Sequence, residues 1–489
     1  MNGPAEPLKI LLYNFAQPNE GEGGGVSVYQ RNLARVLVSL GHTVIMLSSG
    51  MRYTLPGSRA FLRRLEGGAY LCADVVNSPV VAPASASFYE LDIYNDSQDL
   101  DHLPGLLRAE FGEIDVFHFQ NLEGLTRRSF SAIRDAFPAA RLLYSVHNYN
   151  LVCPQVHLWF QDRELCLDYR EGHDCTRCPI GFARRPHHQT TRPIEAAMIR
   201  RLGLPRTHFA VRATRRAIRT AVQTTEKTLE RGRQLMGTPK LRAPDAAVYR
   251  DFRHGNVALC NQVFDRLLAV SKRTGDLLAH YGVDTSQIAV SYIGTAHKQT
   301  FLKAKRIESF KTLHLGYLGY ARRDKGFFFL LDALESLPAS VASRIELTIA
   351  ASVMGDAKTM ARIDALRSRL SAVVYHDGFT HATLDRVIAP VNLGIVPVLW
   401  EDNLPQVAIE MVSRGIPILT SDRGGAGEIA GNSDFSFKAG DMASLHERLR
   451  AIVDGDLSLG EFWKQPLRIF SMEEHVADLM HYYSPAPNC

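Results

Sequence analysis

Apolar residues recur along the first fifty positions in the order strand, helix, strand. Residues 8–15 (LKILLYNF) form a short apolar run with the length of a buried strand. After a glycine-rich stretch, residues 27–41 place apolar side chains at helical spacing up to a glycine, and a second apolar run, TVIMLSS, follows. This pattern predicts a βαβ unit with parallel strands.

The same order returns in the second half of the chain. The stretch LHLGYLGYARRDKGFFFLLDALESLP predicts a strand, a loop and a helix, and later apolar runs predict four more strands: RIELTIAAS, AVVYHDGF, NLGIVPVLW and IPILTSD. Between the two halves, residues 266–294 predict a strand, a helix and a strand that complete the first unit. We therefore expect an α/β protein with two doubly wound domains, joined by a linker near residues 294–308.

Length and composition agree with two domains. The chain of 489 residues exceeds the roughly 250–300 residues at which a single core stops growing, and its 46% hydrophobic and 22% charged residues are ordinary for a globular protein. No apolar run approaches the roughly 18 residues of a membrane span, and the first residues lack a signal-peptide pattern. Seven cysteines, an odd number in a long chain, argue against a secreted disulfide framework. We expect a cytoplasmic protein.

Two carboxylates and a predicted helix start stand close together in WEDNLPQVAIEMVSRGIPILTSD. Asn403 is a good N-cap and Pro405 a good first-turn residue, so the pattern predicts a helix over residues 404–413 that carries Glu410. A loop with Asp402 precedes this helix and a buried strand follows it. Because ligands bind outside the carboxyl ends of strands in open parallel sheets, we expect Asp402 and the helix start to line a crevice.

The glycine-rich loop before the first helix has two interpretations. Gly24 and Gly25 suit close approach of a phosphate or sugar to the backbone, whereas a flexible turn would have the same composition. The loop lacks G-x-G-x-x-G, and no acidic residue ends the second strand. The absence of this fingerprint argues against a nicotinamide-dependent oxidoreductase.

Several blocks taken together resemble the retaining glycosyltransferases of family 4. They are the glycine-rich loop, DVFHFQN, YSVHNYN, LAVSKRT, GYLGYARRDKG and WEDNLPQVAIE, in that order. The resemblance implies the GT-B fold, in which two Rossmann-like domains face each other across a cleft. It implies an N-terminal acceptor-side domain (residues 1–300, with an insertion at about 151–253), a C-terminal nucleotide-sugar-binding domain (301–470) and a terminal helix (471–489) that crosses back.

The resemblance assigns roles to the two carboxylates. The family has a Glu-x7-Glu motif, and the match here is Asp402, seven residues and Glu410, with Glu401 one residue out of register. It implies that Glu410 holds the ribose hydroxyls of the donor and that Asp402 lies at the transferred sugar. Asn403, at the predicted helix start, is grouped with the donor-binding residues. By analogy, Phe379 and Thr380 contribute backbone contacts to the base.

The family's diphosphate-binding block is altered in this chain. In place of Gly-Arg-x4-Lys, the chain keeps Lys325 but has Tyr320 where the arginine belongs, and Arg322 or Arg323 is the substitute cation. With helix N-termini, these cations would stabilise the leaving diphosphate without a metal. The departures at Tyr320 and Asp402 leave open an alternative, a catalytically silent nucleotide- or glycan-binding GT-B protein.

Two histidines follow predicted strands on the acceptor side. His147 aligns with the family histidine near the sugar, and the resemblance implies a catalytic or sugar-orienting role; a hydrogen-bonded histidine in the cleft is the other interpretation. For His118 we expect a structural or acceptor-side role. The resemblance implies transfer of a hexose-type sugar from a nucleotide donor to a hydroxyl of a glycan, a lipid-linked or a small-molecule acceptor, without a covalent nucleophile.

The insertion contains four cysteines with the spacing C-x12-C-x8-C-x2-C: Cys153, Cys166, Cys175 and Cys178. The closing C-x2-C is the spacing of zinc knuckles, so a structural zinc site is one interpretation. Free thiols or a redox pair are the other. His157 and His173 are alternate zinc ligands.

A basic stretch follows the cysteines. Residues 184–219 contain ten arginines and a single glutamate, Glu195. Docking on an anionic membrane surface that carries a lipid-linked acceptor is one interpretation, which would place the protein at the inner face of the membrane. A solvated helical face is the other. Few aromatic residues are interleaved with the charge, so we expect no nucleic-acid binding.

Overall fold

The computed structural model describes residues 6–17, 24–54, 59–66, 68–84, 88, 90–178, 245–353 and 355–484, with isolated positions between 192 and 224. Within these residues the chain forms two large, mainly parallel sheets and one short hairpin. The strands and helices of both βαβ patterns are present where the sequence predicts them, within a few residues at each end.

The first sheet has eight strands in the order β10-β9-β6-β5-β1-β2-β4-β3. All neighbours are parallel except β3 and β4. The strands are β1 (Lys9–Tyr13), β2 (Thr43–Ser49), β3 (Phe61–Leu65), β4 (Leu71–Val76), β5 (Val116–Phe119), β6 (Arg141–Val146), β9 (Arg266–Ala269) and β10 (Ile288–Val290). Near-continuous apolar runs give buried parallel strands, so β1 and β5 are almost fully buried. The strand order reverses between β1 and β5, which makes their carboxyl ends a natural binding edge.

Helices of the first half connect these strands. They are α1 (Gly24–Ser39), α2 (Leu91–Asp96), α3 (Leu103–Phe111), α4 (Arg127–Ala136), α5 (Ala246–Val263), α6 (Lys272–His280) and α7 (Lys298–Lys303). Helix α1 begins directly after the glycine-rich loop and buries the face that carries Tyr29, Leu33 and Leu37. Helix α6 has Ser271 as N-cap, whose side chain accepts a hydrogen bond from the Thr274 amide.

The second sheet has six parallel strands in the order β13-β12-β11-β14-β15-β16. They are β11 (Leu313–Leu318), β12 (Ile345–Ala350), β13 (Ala372–His376), β14 (Leu393–Val396), β15 (Ile418–Ser421) and β16 (Ser436–Phe437). Numbered from β11, this is the 3-2-1-4-5-6 order of a Rossmann sheet. The order reverses between β11 and β14, so a ligand is expected at the carboxyl ends of these two strands.

Helices of the second half follow the strands in turn. They are α8 (Phe327–Ser336), α9 (Ala339–Ala342), α10 (Ala357–Ala365), α11 (His381–Ile388), α12 (Gln406–Ser413), α13 (Met442–Asp454) and α14 (Met472–Tyr483). Helix α14 packs against α1 and β6 of the first half. In this contact, Tyr483 bonds to His118 and His475 bonds to Tyr29.

The predicted insertion contributes a small hairpin, β7 (Trp159–Phe160) paired antiparallel with β8 (Glu164–Leu165). Most of the basic stretch 184–219 lies outside the described residues, as do residues 21–23 of the glycine-rich loop. Among the helices that the structure describes, none is both long and apolar enough to span a membrane.

Candidate active site

Lys325 and Asp402 meet at the reversal point of the second sheet. Lys325 follows β11 and Asp402 follows β14, and Lys325 Nζ lies 2.6 Å from Asp402 Oδ2. The ammonium also lies 4.8 Å from the ring centroid of Trp400. Gly326 has φ 71°, and a Cβ at this position would overlap the carbonyl oxygen of Pro397. Glycine is therefore needed for the loops after β11 and β14 to approach this closely.

Arg322 is held beside this pair by a buried carboxylate. Its guanidinium binds Asp324 through two bonds of 2.9 and 2.7 Å. Burial raises the pKa of Asp324, and the positive charges of Arg322 and Lys325 oppose that rise. Arg323 is mainly exposed, as is Tyr320, which stands where the resembled family has arginine. Arg322 and Lys325 thus form a positively charged loop at the carboxyl end of β11.

Glu410 lies on α12 and is surrounded by cationic or polar partners. Its Oε1 lies 3.0 Å from His297 Nε2 and 3.6 Å from His381 Nδ1, and its Oε2 accepts a bond of 2.6 Å from Arg414. Burial raises the pKa of Glu410, but the bond from His297 and the charges of His297, Arg414 and His381 outweigh it, so the net shift is downward. The carboxylate is therefore ionised at neutral pH and suited to accept hydrogen bonds from hydroxyl groups.

A pocket opens beside Glu410, between the two halves of the chain. Tyr29 of α1, Gly294, His297, His381 and Glu410 are among its lining residues. In the described part of the chain, the ligand atoms of the two histidines and Glu410 all lie within 4.8 Å of one another. Gln406, at the start of α12, also lines the pocket and donates a bond of 2.8 Å to the carbonyl of Gly25. Gly24 and Gly25 therefore face the start of α12 across the cleft, whose walls come from both halves.

The predicted N-cap role of Asn403 is wrong. Helix α12 begins at Gln406 and is preceded by Pro405, whose ψ of 122° is extended. The side-chain amide of Asn403 instead donates to the Val146 carbonyl at 3.3 Å and to Thr274 Oγ1 at 3.2 Å. Asn403 is buried and connects the two halves of the chain at the edge of the cleft.

Glu401 forms a separate ion-pair network with Arg273 and Arg423. This fully buried carboxylate accepts two bonds from Arg273 at 2.6 and 2.8 Å, one from Arg423 at 3.1 Å and one from the Gly424 amide at 3.0 Å. Burial raises the pKa of Glu401, but these bonds outweigh it and the net shift is downward. Glu401 therefore has no free acceptor directed at the Lys325 site, and Asp402 is the carboxylate that meets Lys325.

His147 follows β6 on the opposite side of the cleft. Its Nε2 lies 2.8 Å from Gln120 Oε1, and its ring centroid lies 5.0 Å from that of Tyr29. Burial lowers the pKa of His147 to about 3, with a contribution from the nearby His475. The imidazole is therefore neutral and acts by hydrogen bonding rather than by charge.

His118 has both ring nitrogens engaged. Nδ1 lies 2.7 Å from Tyr483 Oη and Nε2 lies 2.7 Å from Ser145 Oγ. Burial holds its pKa well below the usual value, with smaller effects from His147 and His475. The fully buried ring connects β5, β6 and α14, which is a structural arrangement.

The other predicted sites are described in part. The four cysteines of the insertion are free thiols, and nothing in the structure tests the zinc interpretation. Of the ten arginines in residues 184–219, Arg192 and Arg216 are among the described residues. Arg192 donates to the carbonyls of Gly50 and Ala82, at 2.7 Å each. The membrane interpretation of this stretch stays a prediction.

Sequence reasoning missed several residues of this site. His297 and His381 lie outside the quoted blocks, and Arg273 lies in LAVSKRT without an assigned role. These residues reach the carboxylates from segments 29 to 128 positions away. Trp400 lies in the same motif as Asp402, and its position beside Asp402 is the signal that could have found it. His157, which the sequence offers as an alternate zinc ligand, packs its ring edge-on against Trp400 at 4.7 Å between centroids.

A family model matches the part of the chain that contains these carboxylates. Residues 310–454, which include Lys325, Asp402 and Glu410, match the family model for Glycosyl transferases group 1. No curated protein sequence matches the chain. The match covers about 30% of the chain and includes the second sheet and its loops.

Solved structures align with nearly the whole chain. An α,α-trehalose-phosphate synthase (UDP-forming) from Burkholderia xenovorans in complex with glucose-6-phosphate is 14% identical, covering 98% of this chain and 100% of that chain with a TM-score of 0.55. HepE from Anabaena in complex with UDP is 12% identical, covering 97% and 100% with a TM-score of 0.53. Sucrose-phosphate synthase from Thermosynechococcus elongatus is 15% identical, covering 97% and 98% with a TM-score of 0.52. The chain thus has the GT-B fold, and its residues 310–454 form a glycosyl transferase group 1 domain.

Proposed function

We propose that the chain is a retaining, metal-independent glycosyltransferase of family 4. It moves a hexose-type sugar from a nucleoside-diphosphate donor to a hydroxyl of a glycan, a lipid-linked or a small-molecule acceptor. The observation that carries the proposal is the contact between Lys325 and Asp402 at the reversal point of the second sheet, inside the glycosyl transferase group 1 domain. The UDP complex of HepE and the UDP-forming trehalose-phosphate synthase support a nucleotide-sugar donor.

The proposed donor site assigns one task to each charged group. Lys325, assisted by Arg322, stabilises the negative charge that develops on the leaving diphosphate. Asp402 lies at the transferred sugar, where its carboxylate stabilises the positive charge of an oxocarbenium-like centre. Glu410, ionised at neutral pH, accepts hydrogen bonds from the ribose hydroxyls. The base lies near Phe379 and Thr380.

In the proposed transfer, donor departure and acceptor attack occur on the same face of the sugar. The bond between the anomeric carbon and the diphosphate oxygen breaks, and a bond from the acceptor oxygen to that carbon forms. The acceptor proton passes to the departing diphosphate, so no covalent enzyme intermediate is needed. The neutral His147 orients the sugar and acceptor from the first half by hydrogen bonding.

The proposed acceptor side is the carboxyl edge of the first sheet, near His147 and Gly24 to Gly25. A lipid-linked acceptor presented at the inner face of the membrane would use the basic stretch 184–219. The proposal places the protein in the cytoplasm, peripheral to that membrane.

A thermal-shift panel tests the donor site. UDP, GDP, dTDP and ADP, each with and without a sugar, are added to the wild type, to Glu410→Ala and to Glu447→Ala, an exposed control on α13. A ligand that binds the folded state alone stabilises it by about 3–4 kcal/mol at 100–1,000 times its Kd. We expect one base to stabilise the wild type and the control but not Glu410→Ala. If no nucleotide stabilises the wild type, the donor-site proposal fails.

A turnover assay distinguishes an active transferase from a protein that binds the nucleotide sugar without catalysis. The exposed Tyr320, in place of the expected arginine, favours a silent nucleotide- or glycan-binding protein as the second candidate. The stabilising nucleotide sugar is incubated with the protein and a panel of glycan and lipid acceptors, and release of the nucleoside diphosphate is measured. Acceptor-dependent release supports the transferase; tight binding without release supports the silent protein.

A further inference from the structure

The segment of residues 151–178, which we call the cysteine-rich segment, has little regular structure of its own. Its strands β7 and β8 are two residues each, and its other elements are single helical turns. A segment of this size cannot bury enough apolar surface to fold alone, and small units of this kind are held by disulfides or metal ions.

Its backbone is also strained. Six of the seven described non-glycine residues with positive φ lie in this segment: Val156, Leu158, Gln161, Asp162, Arg170 and Glu171. Residues in such conformations are strained and persist where the surroundings fix them. Val156, at φ 65°, is a β-branched residue for which this conformation is a genuine outlier. The segment therefore needs a strong local constraint.

The four cysteines of the segment lie on two turns and a hairpin. The Val156 amide bonds to the Cys153 carbonyl at 2.8 Å, and the Cys178 amide bonds to the Cys175 carbonyl at 3.2 Å. The Cys166 amide donates to the Leu158 carbonyl at 2.8 Å, just before β7. Cys178 Sγ lies 4.0 Å from the carbonyl oxygen of Trp159, which belongs to β7. The backbone thus gathers cysteines separated by up to 25 positions around one small hairpin.

All four thiols are free, and the backbone bonds place them around the same hairpin. Cys178 is buried and the other three cysteines are half-buried. Thiols that are wholly or partly withdrawn from water gain little from hydrogen bonding, since a thiol is a weak donor and acceptor. A metal ion would convert them to thiolate ligands.

The surroundings suit a negatively charged metal centre. A zinc ion with four thiolates has a net charge of −2, and Arg253 is a cation bound to the residue before Cys153. Arg253 is buried, donates to the Val152 carbonyl at 2.9 Å and lies over the ring of Tyr169 at 3.6 Å. The side-chain amide of Gln155 donates to Cys178 Sγ. Donors of this kind are the outer partners that stabilise metal-bound thiolates.

We propose that Cys153, Cys166, Cys175 and Cys178 bind one structural zinc ion that fixes the cysteine-rich segment against the donor side of the cleft. Zinc takes four thiolates at about 2.3 Å in tetrahedral geometry, and the C-x2-C turn of Cys175 and Cys178 supplies one pair of ligands. Among the described residues, the set around Glu410 has its ligand atoms within 4.8 Å of one another, and the four cysteines do not form such a set. Binding of one zinc ion therefore requires the two cysteine turns to approach each other.

The proposed zinc site lies in the segment that contacts the Lys325 and Asp402 loops. His157, between the first two cysteines, packs on Trp400, the residue whose ring lies under Lys325 Nζ. Burial, together with the positive charges of Arg322 and Lys325, lowers the pKa of His157 to about 3. Zinc binding thus holds a neutral histidine next to the two cations assigned to the diphosphate.

Metal content of the full chain tests the proposal without any donor or acceptor. The chain is purified under reducing conditions, incubated with one equivalent of zinc, dialysed against a weak chelator and analysed by elemental mass spectrometry. The variants are Cys175→Ser with Cys178→Ser, and Cys260→Ala, a buried cysteine of α5 outside the cluster. We expect about one zinc per chain in the wild type and the control and at least a tenfold loss in the double variant. No retained zinc in the wild type, or equal zinc in all three, overturns the proposal.

Two further measurements guard against misfolding of the variants. With cobalt in place of zinc, the wild type should show the thiolate-to-metal charge-transfer band of a sulfur-rich tetrahedral site. Hydrogen exchange of the metal-free wild type should slow within residues 151–178 when zinc is added, and stay unchanged in α13. A band without sulfur character, or exchange that ignores zinc, overturns the proposal. Because no step uses a nucleotide, a failure here is distinct from a failure of the donor site.

Discussion

Lys325 Nζ and Asp402 Oδ2 lie 2.6 Å apart, on the two loops that leave the adjacent strands β11 and β14. The cation proposed for the diphosphate and the carboxylate proposed for the sugar therefore neutralise each other when no donor is bound. A donor has to replace this ion pair with its own diphosphate on Lys325. The pair consequently opposes nucleotide binding while it keeps both groups in position.

Asp402→Asn should separate binding from transfer. The amide cannot pair with Lys325 as a charge, so UDP or the nucleotide identified by thermal shift should bind about three- to tenfold tighter, equivalent to roughly 0.7–1.4 kcal/mol. Sugar transfer should fall by about 10²–10³, the effect of removing one electrostatic stabiliser from a transition state. Calorimetry and steady-state kinetics check both numbers. Asp364→Asn, which removes an exposed carboxylate paired with Arg367, is the control and should change neither.

Weaker nucleotide binding in Asp402→Asn would contradict the assignment. It would mean that Asp402 itself contacts the nucleotide rather than competing with it for Lys325.

Glu401→Gln should affect stability rather than chemistry. Its buried carboxylate is the common partner of Arg273 from the first half and Arg423 from the second. Removing one member of such a buried network costs about 3–5 kcal/mol. We expect a lower thermal midpoint and a catalytic constant close to the wild type at temperatures where the variant is folded. A folded variant with wild-type stability and strongly reduced transfer would show that Glu401, not Asp402, is the active carboxylate.

The sequence predicts the second sheet and the positions of Lys325 and Asp402 well because strand patterns are local. Apolar runs identify β11 and β14, and the rule for open parallel sheets places the residues after them at one edge. Helix α12 begins at Gln406, two residues later than the sequence predicts. Asn403 finds partners on the other half of the chain, and an extended Pro405 delays the helix until Gln406.

The contacts of Glu410 and Glu401 depend on how the two halves meet. His297 and Arg273 approach these carboxylates from the first half and the segment joining it to the second, and neither residue belongs to a local pattern that indicates its partner. Long-range pairs of this kind are visible only once both sheets are placed. The same applies to His157, which reaches Trp400 from a segment whose sequence pointed to zinc.

Gly326→Ala should destabilise the second domain and displace Lys325. The residue has φ 71°, and an added methyl would overlap the Pro397 carbonyl. The left-handed conformation alone costs a non-glycine residue about 1–2 kcal/mol, and the overlap adds to it. Thermal unfolding should show a lower midpoint, with a parallel loss of nucleotide binding. Gly105→Ala is the control, because this helical glycine has open space around it and alanine favours a helix; it should be neutral or stabilising.

Buried histidines should make the protein lose stability in mild acid. Burial lowers the pKa of His475 to about 4, against an opposing effect of Asp478, and that of His147 to about 3. Between these values and the ordinary 6.5, the unfolded chain binds protons that the folded chain does not, so stability falls as pH drops. Each such histidine contributes about 1.4 kcal/mol per pH unit in this window. Thermal midpoints measured from pH 8 to pH 4.5 should therefore decline steeply below pH 6.5.

His475→Gln isolates one of these contributions. Glutamine keeps a hydrogen-bonding group near Tyr29, the partner of His475 at 2.7 Å, but does not titrate. At pH 8, His475 is neutral in both the folded and the unfolded chain. The variant should then be less stable than the wild type, because glutamine fits Tyr29 less well. Below pH 6.5 the wild type alone loses the His475 contribution, so the difference between the two proteins should narrow as the pH falls. A constant difference across the whole range would show that His475 is protonated in the folded protein and that its burial does not suppress its charge.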